Sequence, residues 1–150
     1  MDVSKASSML TTMASMQEEH NIQVHPDWRE KRYEYYRAIW VECAEMLDHF
    51  GWKWWKKQDK DLAQLQMELI DIWHFLLSEI LLRNKGSQEE SIKSLLSLLN
   101  QDKAKRSLHF DNQDFEISKC DLLLKLELLI ATSVTRRMEK IGRASCRERV

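Results

Sequence analysis

Only three glycines and one proline punctuate this chain of 150 residues. These residues supply the turns that reverse strands and the loops that approach phosphates closely. A chain so poor in both lacks the punctuation of an all-β or Rossmann-type fold. Long helices with few breaks remain, so the expected fold class is all-α: a helical bundle of about five helices. The length is compatible with one domain, and no internal repeat or low-complexity linker marks a second. The formal net charge of -1 provides no basic field for nucleic acid. No apolar run reaches the ~20 residues that a membrane span needs. Cys43, Cys120 and Cys146 form no paired or metal-ligand spacing. With no signal peptide at the start, a reduced, cytoplasmic chain is the simplest expectation.

Five helical segments are readable. The first runs roughly from Ser4 to Asn21, with Met9, Leu10, Met13 and Met16 on one face. Val24-His25-Pro26 ends it, because the residue before proline is pushed out of helical backbone. Asp27 and Glu30 have capping-box spacing for a second helix that continues to His49 or Phe50, where Gly51 can close it. Asp59 is the expected N-cap of a third helix reaching Asn84, with Asn84-Lys85-Gly86 as the stop. Ser87 and Glu90 form a capping box for a short fourth helix through Leu99. Residues 101–117 read as polar and turn-rich. Ser118-Lys119-Cys120-Asp121 precedes a fifth, Leu- and Ile-rich helix. The fourth and fifth segments are apolar on more than one stripe, which suggests partner helices.

Two acidic pairs carry the chemistry. Glu42 with Glu45, and Glu68 with Asp71, are each spaced i, i+3, so both carboxylates of a pair share a helix face. They interrupt apolar stripes (Ile39, Cys43 and Met46; Leu65, Ile72 and Phe75), where an unneutralised carboxylate is costly. Four carboxylates on two facing helices would make an oxygen cage suited to Mg²⁺ and phosphate chemistry. Spacing alone leaves a surface or salt-bridge role open, since Asp27/Glu30, Glu45/Asp48 and Asp111/Asp114 share it.

Trp52-Lys53-Trp54-Trp55-Lys56-Lys57 packs three indoles and three ammonium groups into six residues. It reads either as an aromatic plug between helices or as a pocket wall with cations for phosphate. Gln17 and Asn21, spaced i, i+4, can read the donor–acceptor edge of a base or stand as exposed amides. His74 reads as a packing or supporting histidine, with a ligand role open. Phe75 is a core residue or a stacking face. The seven methionines read as gap-filling core. No glycine-rich phosphate loop and no Ser/His/Asp or Cys/His nucleophile system stands out.

The run from Tyr36 to Lys56, with Glu42, Glu45 and the Trp52–Lys56 segment, followed by Glu68-Leu69-Ile70-Asp71-Ile72-Trp73-His74-Phe75, closely resembles the dimeric all-α dUTPases. These belong to the all-α nucleoside triphosphate pyrophosphohydrolase superfamily, which includes the MazG-like enzymes. Its hallmark, E-x-x-E followed by E-x-x-D, is met by Glu42, Glu45, Glu68 and Asp71. The resemblance is good over residues 9–82 and looser beyond. It implies a homodimer that hydrolyses dUTP to dUMP and pyrophosphate with Mg²⁺, independently of nucleic acid or membrane. It implies that Glu42, Glu45, Glu68 and Asp71 hold metal and that Glu45 activates the attacking water. It further implies a uracil pocket from Gln17, Asn21, a tryptophan of the 52–55 segment (Trp52 or Trp55) and Phe75, with His74 beside it and Lys53 and Lys56 near phosphate. Other readings stay open: a related enzyme acting on dCTP or several nucleotides, and a non-catalytic helical oligomerisation module.

Residues 141–150, Ile141-Gly142-Arg143-Ala144-Ser145-Cys146-Arg147-Glu148-Arg149-Val150, carry no feature of the preceding helix. They read as the in-frame translation of a sequencing adapter, so the dUTPase-like domain is expected to occupy 1–140. Members of the resembling family extend further, with C-terminal motifs over the phosphates. No such motif follows Arg137-Met138-Glu139-Lys140, which implies weakened hydrolysis. A parent nucleotide sequence that does not match an adapter would refute the adapter origin.

Overall fold

The computed structural model describes residues 3–84, 87–100 and 107–147, with side chains except at 98–100 and 136–147. Six helices and one hairpin occur among them: α1 Val3–Val24, α2 Trp28–Lys31, α3 Tyr35–Phe50, α4 Leu62–Arg83, α5 Gln88–Asn100, β1 Ser107–Phe110, β2 Gln113–Glu116 and α6 Leu122–Arg147. The all-α expectation holds, with a small antiparallel sheet added. No described helix is long and apolar enough to cross a membrane.

α4 is the central element. One side joins α3 and α6 in a cluster of Ile39, Cys43, Met46, Leu65, Ile72 and Leu126. The other side packs Leu77 against Leu10 of α1 and Leu95 of α5, and Leu81 against Ala14 and Trp28. Burial on two sides explains why α4 is apolar over most of its circumference.

Several boundaries differ from the sequence expectation. The span from Asp27 to Phe50 is two helices, because Arg32 turns into left-handed backbone at φ 51 and its N–H closes α2 on the Trp28 carbonyl. Asp27 occupies the N-cap position without a side-chain cap, and its carboxylate faces Lys31 at 3.6 Å. Asp61, rather than Asp59, caps α4 by accepting from Gln64 N at 3.1 Å. Ser87 caps α5 through Glu90 N at 3.2 Å, and Asp121 caps α6 through Leu124 N at 2.8 Å. Gly51 ends α3 at φ 76, as expected of a glycine there. Within the turn-rich segment, Asp111 and Asn112 both adopt positive φ, the two-residue reversal that joins paired strands. Residues 101–106, Lys85 and Gly86 lie outside the described residues. The first helix turns Ala6, Leu10, Ala14, Gln17 and Asn21 inward. Met9, Met13 and Met16, expected with Leu10 on one buried face, are exposed. α6 continues past Lys140 to Arg147.

Candidate active site

α3 and α4 lie antiparallel: His49 meets Glu68 at one end and Tyr35 meets Phe75 at the other. This places the two acidic pairs opposite each other. Carboxylate oxygens of Glu42, Glu68 and Asp71 all lie within 4.8 Å of one another. Glu68 is only 6% exposed, and His49 Nε2 stands 3.5 Å from its Oε1. Glu45, one turn beyond Glu42, is exposed and lies outside this group. Its charge still reaches Glu42. Burial first, then a hydrogen bond to Glu68, then the charges of Glu45 and Asp71 push Glu42 up to about 7. Like charges this close favour holding a proton. The arrangement suits a divalent cation: hard oxygen donors from two helices converge, with the His49 imidazole beside Glu68. Cys43, beside Glu42, is no nucleophile, since burial pushes its thiol up to about 12.

A cavity of about 500 Å³ opens beside this cluster. Gln17, His20, Asn21, Val24 and His25 line it from α1 and the turn after it. Tyr33 comes from the α2–α3 connection, Tyr35 from the start of α3, and Asp71, His74, Phe75 and Ser78 from α4. Asp71 belongs to both the cavity and the carboxylate group, so the two are contiguous.

One side of the cavity is polar. Gln17 and Asn21 are 4% and 6% exposed, far from the surface amides that their type suggests. Gln17 Nε2 donates to Asn21 Oδ1 at 3.0 Å, and Asn21 Nδ2 donates to Ser78 Oγ at 3.0 Å. His74 Nδ1 lies 2.5 Å from Gln17 Oε1; an amide oxygen only accepts, which puts a proton on Nδ1. The other side is aromatic. His25–Tyr33, Tyr33–Tyr35 and Tyr35–Phe75 follow one another with ring centroids 4.8, 6.5 and 6.4 Å apart. Tyr35 is held protonated above its ordinary range by burial, then by Tyr33, Glu79 and Glu18.

Gln17, Asn21, His74, Phe75 and Asp71 therefore line one cavity. The tryptophan segment is not among the cavity's lining residues. In the α3–α4 connection Trp55 meets both Trp52 and Trp54 edge-to-face, with Trp54 88% exposed. Phe75 stands 13 residues beyond the start of α4, about 20 Å along the helix. The segment thus lies beyond the carboxylates, on the side away from Phe75. Lys53 is paired there with Asp48, and Lys56 is exposed. Sequence reasoning missed His20, His25, Tyr33, Tyr35 and Ser78. The tyrosines could have been suspected from their density before the first acidic pair, whereas Ser78 carried no signal.

A family model described as dUTPase matches residues 9–145. No curated protein and no solved structure matches the chain. The match spans α1 to α6 and takes in both the carboxylate cluster and the cavity beside it, so the chain belongs to the dUTPase family, enzymes that hydrolyse dUTP.

Proposed function

We propose that this dUTPase converts dUTP to dUMP and pyrophosphate on a Mg²⁺ site built by Glu42, Glu68 and Asp71. The observation that carries this reading is the continuity of a polar-and-aromatic slot with a carboxylate cluster through Asp71. A planar base enters between Phe75 with Tyr35 on one side and the Gln17–Asn21 carboxamides on the other. The phosphates then extend toward the cluster. Bound Mg²⁺ supplies charge neutralisation for the phosphates and lowers the pKa of water. Glu45, exposed and one turn from Glu42, receives the proton of the attacking water. The motif also counts Glu45 among the expected metal ligands, but its exposed position outside the three-carboxylate group favours the role of base. Lys53 and Lys56, beyond the cluster, offer cations to the outer phosphates, and Trp52 or Trp55 reaches the base only if their loop swings over the site. His74 holds Gln17 in orientation.

The same reading makes the protein a cytoplasmic homodimer acting on the free nucleotide pool. Exposed Met9, Met13 and Met16 on α1, and Leu62, Met67, Leu69 and Ile70 on α4, support burial against a second copy. Free Cys43 and Cys120 are compatible with a reducing compartment.

Isothermal titration of the folded protein with Mg²⁺ in the presence of dUMP tests the site directly. Binding should weaken strongly in Asp71→Asn and Glu68→Gln and persist in Glu45→Gln. Undiminished binding in Asp71→Asn would exclude the cluster.

A further inference from the structure

Ser78 is fully buried on α4, one turn past His74. Its hydroxyl has one proton and two acceptors in reach: the His74 carbonyl at 3.1 Å and Asn21 Oδ1 at 3.3 Å. Asn21 Oδ1 already accepts from Gln17 Nε2. Inside a helix the carbonyl four residues back is the usual partner of a serine hydroxyl. The hydroxyl therefore donates to the His74 carbonyl, and Ser78 Oγ faces Asn21 Nδ2 as an acceptor. Flipping the Asn21 amide would set its N–H groups against those of Gln17, and Ser78 could donate to the flipped oxygen only by giving up the His74 carbonyl. His74 pins Gln17 from the other end. Each carboxamide keeps one uncommitted N–H, and Gln17 Oε1 keeps a lone pair.

We propose that Ser78 is a positioning residue for base selectivity: by accepting from Asn21 it locks the carboxamide pair so that Asn21 offers an N–H and Gln17 an oxygen to the base. This rests on the reading of the cavity as a pyrimidine slot. A uracil carbonyl accepts the Asn21 N–H, and the adjacent ring N3–H donates to Gln17 Oε1. Cytosine presents an amino group to that donor and a bare nitrogen to that acceptor, so both contacts are mismatched. Without Ser78 only the bond from Gln17 Nε2 still opposes a turn of the Asn21 amide, and an amide that turns relieves one mismatch.

The test compares wild type with Ser78→Ala and Ser78→Cys. The readouts are kcat/KM for dUTP and dCTP and, without metal, calorimetric Kd for dUMP and dCMP. The Cys variant fills the same space with a weak acceptor, so it decides the matter even where Ala loses structure. The uracil preference should fall roughly tenfold in both readouts, the size of one misplaced buried hydrogen bond. A purely structural role would lower both substrates equally and leave the ratio unchanged, which overturns the proposal. A fall in Ala without one in Cys overturns it too, since a cavity would then be the cause. Asn21→Ala separates the two levels. Loss of preference there with none in the Ser78 variants removes only the role of Ser78, whereas retained preference in Asn21→Ala removes the pyrimidine slot as well.

Discussion

Glu42 is the residue on which the electrostatics of the site turn. Burial and three neighbouring carboxylates raise it from 4.5 to about 7. An acid with a higher pKa folded than unfolded binds more protons in the folded state between those values. Stability of the metal-free protein therefore falls as pH rises through that window. Binding of Mg²⁺ displaces the proton and removes the repulsion, so its stabilising effect grows with pH. Thermal melts should give a lower metal-free midpoint at pH 8 than at pH 5, and a larger Mg²⁺-induced rise at pH 8. The opposite trend would mean the carboxylates are already neutralised. By the same argument Glu42→Gln should raise the metal-free midpoint at pH 8 while weakening Mg²⁺ binding. Glu45 carries a different role at an exposed position. Its replacement by Gln should cost roughly 10²–10⁴ in kcat, the range for a lost general base, with Mg²⁺ affinity largely kept. A parallel loss of affinity would assign Glu45 to metal holding instead.

At the scale of elements, the α3–α4 pair sets the site, and Gly51 sets the pair. Its φ of 76 turns the chain out of α3, and an added Cβ would stand 3.4 Å from Gln58 Cβ. Gly51→Ala should cost about 1–2 kcal/mol, the penalty for left-handed backbone with a side chain. Urea unfolding measures this, and a change of only a few tenths would show that the loop adapts. This turn and the acidic pairs were legible because each rests on local chemistry: one residue type with one backbone preference, and a spacing fixed by helical geometry. The break at Arg32 was not, because no glycine or proline marks it and the burial of Trp28 and the Tyr33–Tyr35 stack decide it. The inward face of α1 was misread for a related reason. Small Ala6 and Ala14 permit close approach to neighbouring helices, so the larger methionines turn outward. The hairpin was missed because Asp111-Asn112 lacks the glycine that usually announces such a turn. Gln17 and Asn21 could be base-reading groups or exposed amides by sequence, and only the partners Ser78 and His74 on α4 decide for buried ones. The tryptophan segment resembles a pocket wall in composition, but the lengths of α3 and α4 set it at the far end of the pair.

For the whole molecule, one central helix organises both core and chemistry. α4 carries Glu68 and Asp71 to the carboxylate cluster, Phe75 to the aromatic side and Ser78 to the polar side, with three apolar clusters around it. Such a layout leaves apolar side chains of α1 and α4 outside, and the proposed dimer would cover them. A chain of 17.9 kDa should therefore sediment as a pair, and Leu69→Lys should shift it toward the monomer. Monomeric wild type at micromolar concentration would contradict this. The most direct test of the central claim is Mg²⁺-dependent pyrophosphate release from dUTP, dCTP, dTTP and UTP, comparing wild type with Glu45→Gln after circular dichroism confirms both are folded. Release from dUTP far above the other nucleotides, lost in Glu45→Gln, is the expected result. Folded, Mg²⁺-binding wild type that releases nothing from dUTP, or releases equally from all four, would contradict it.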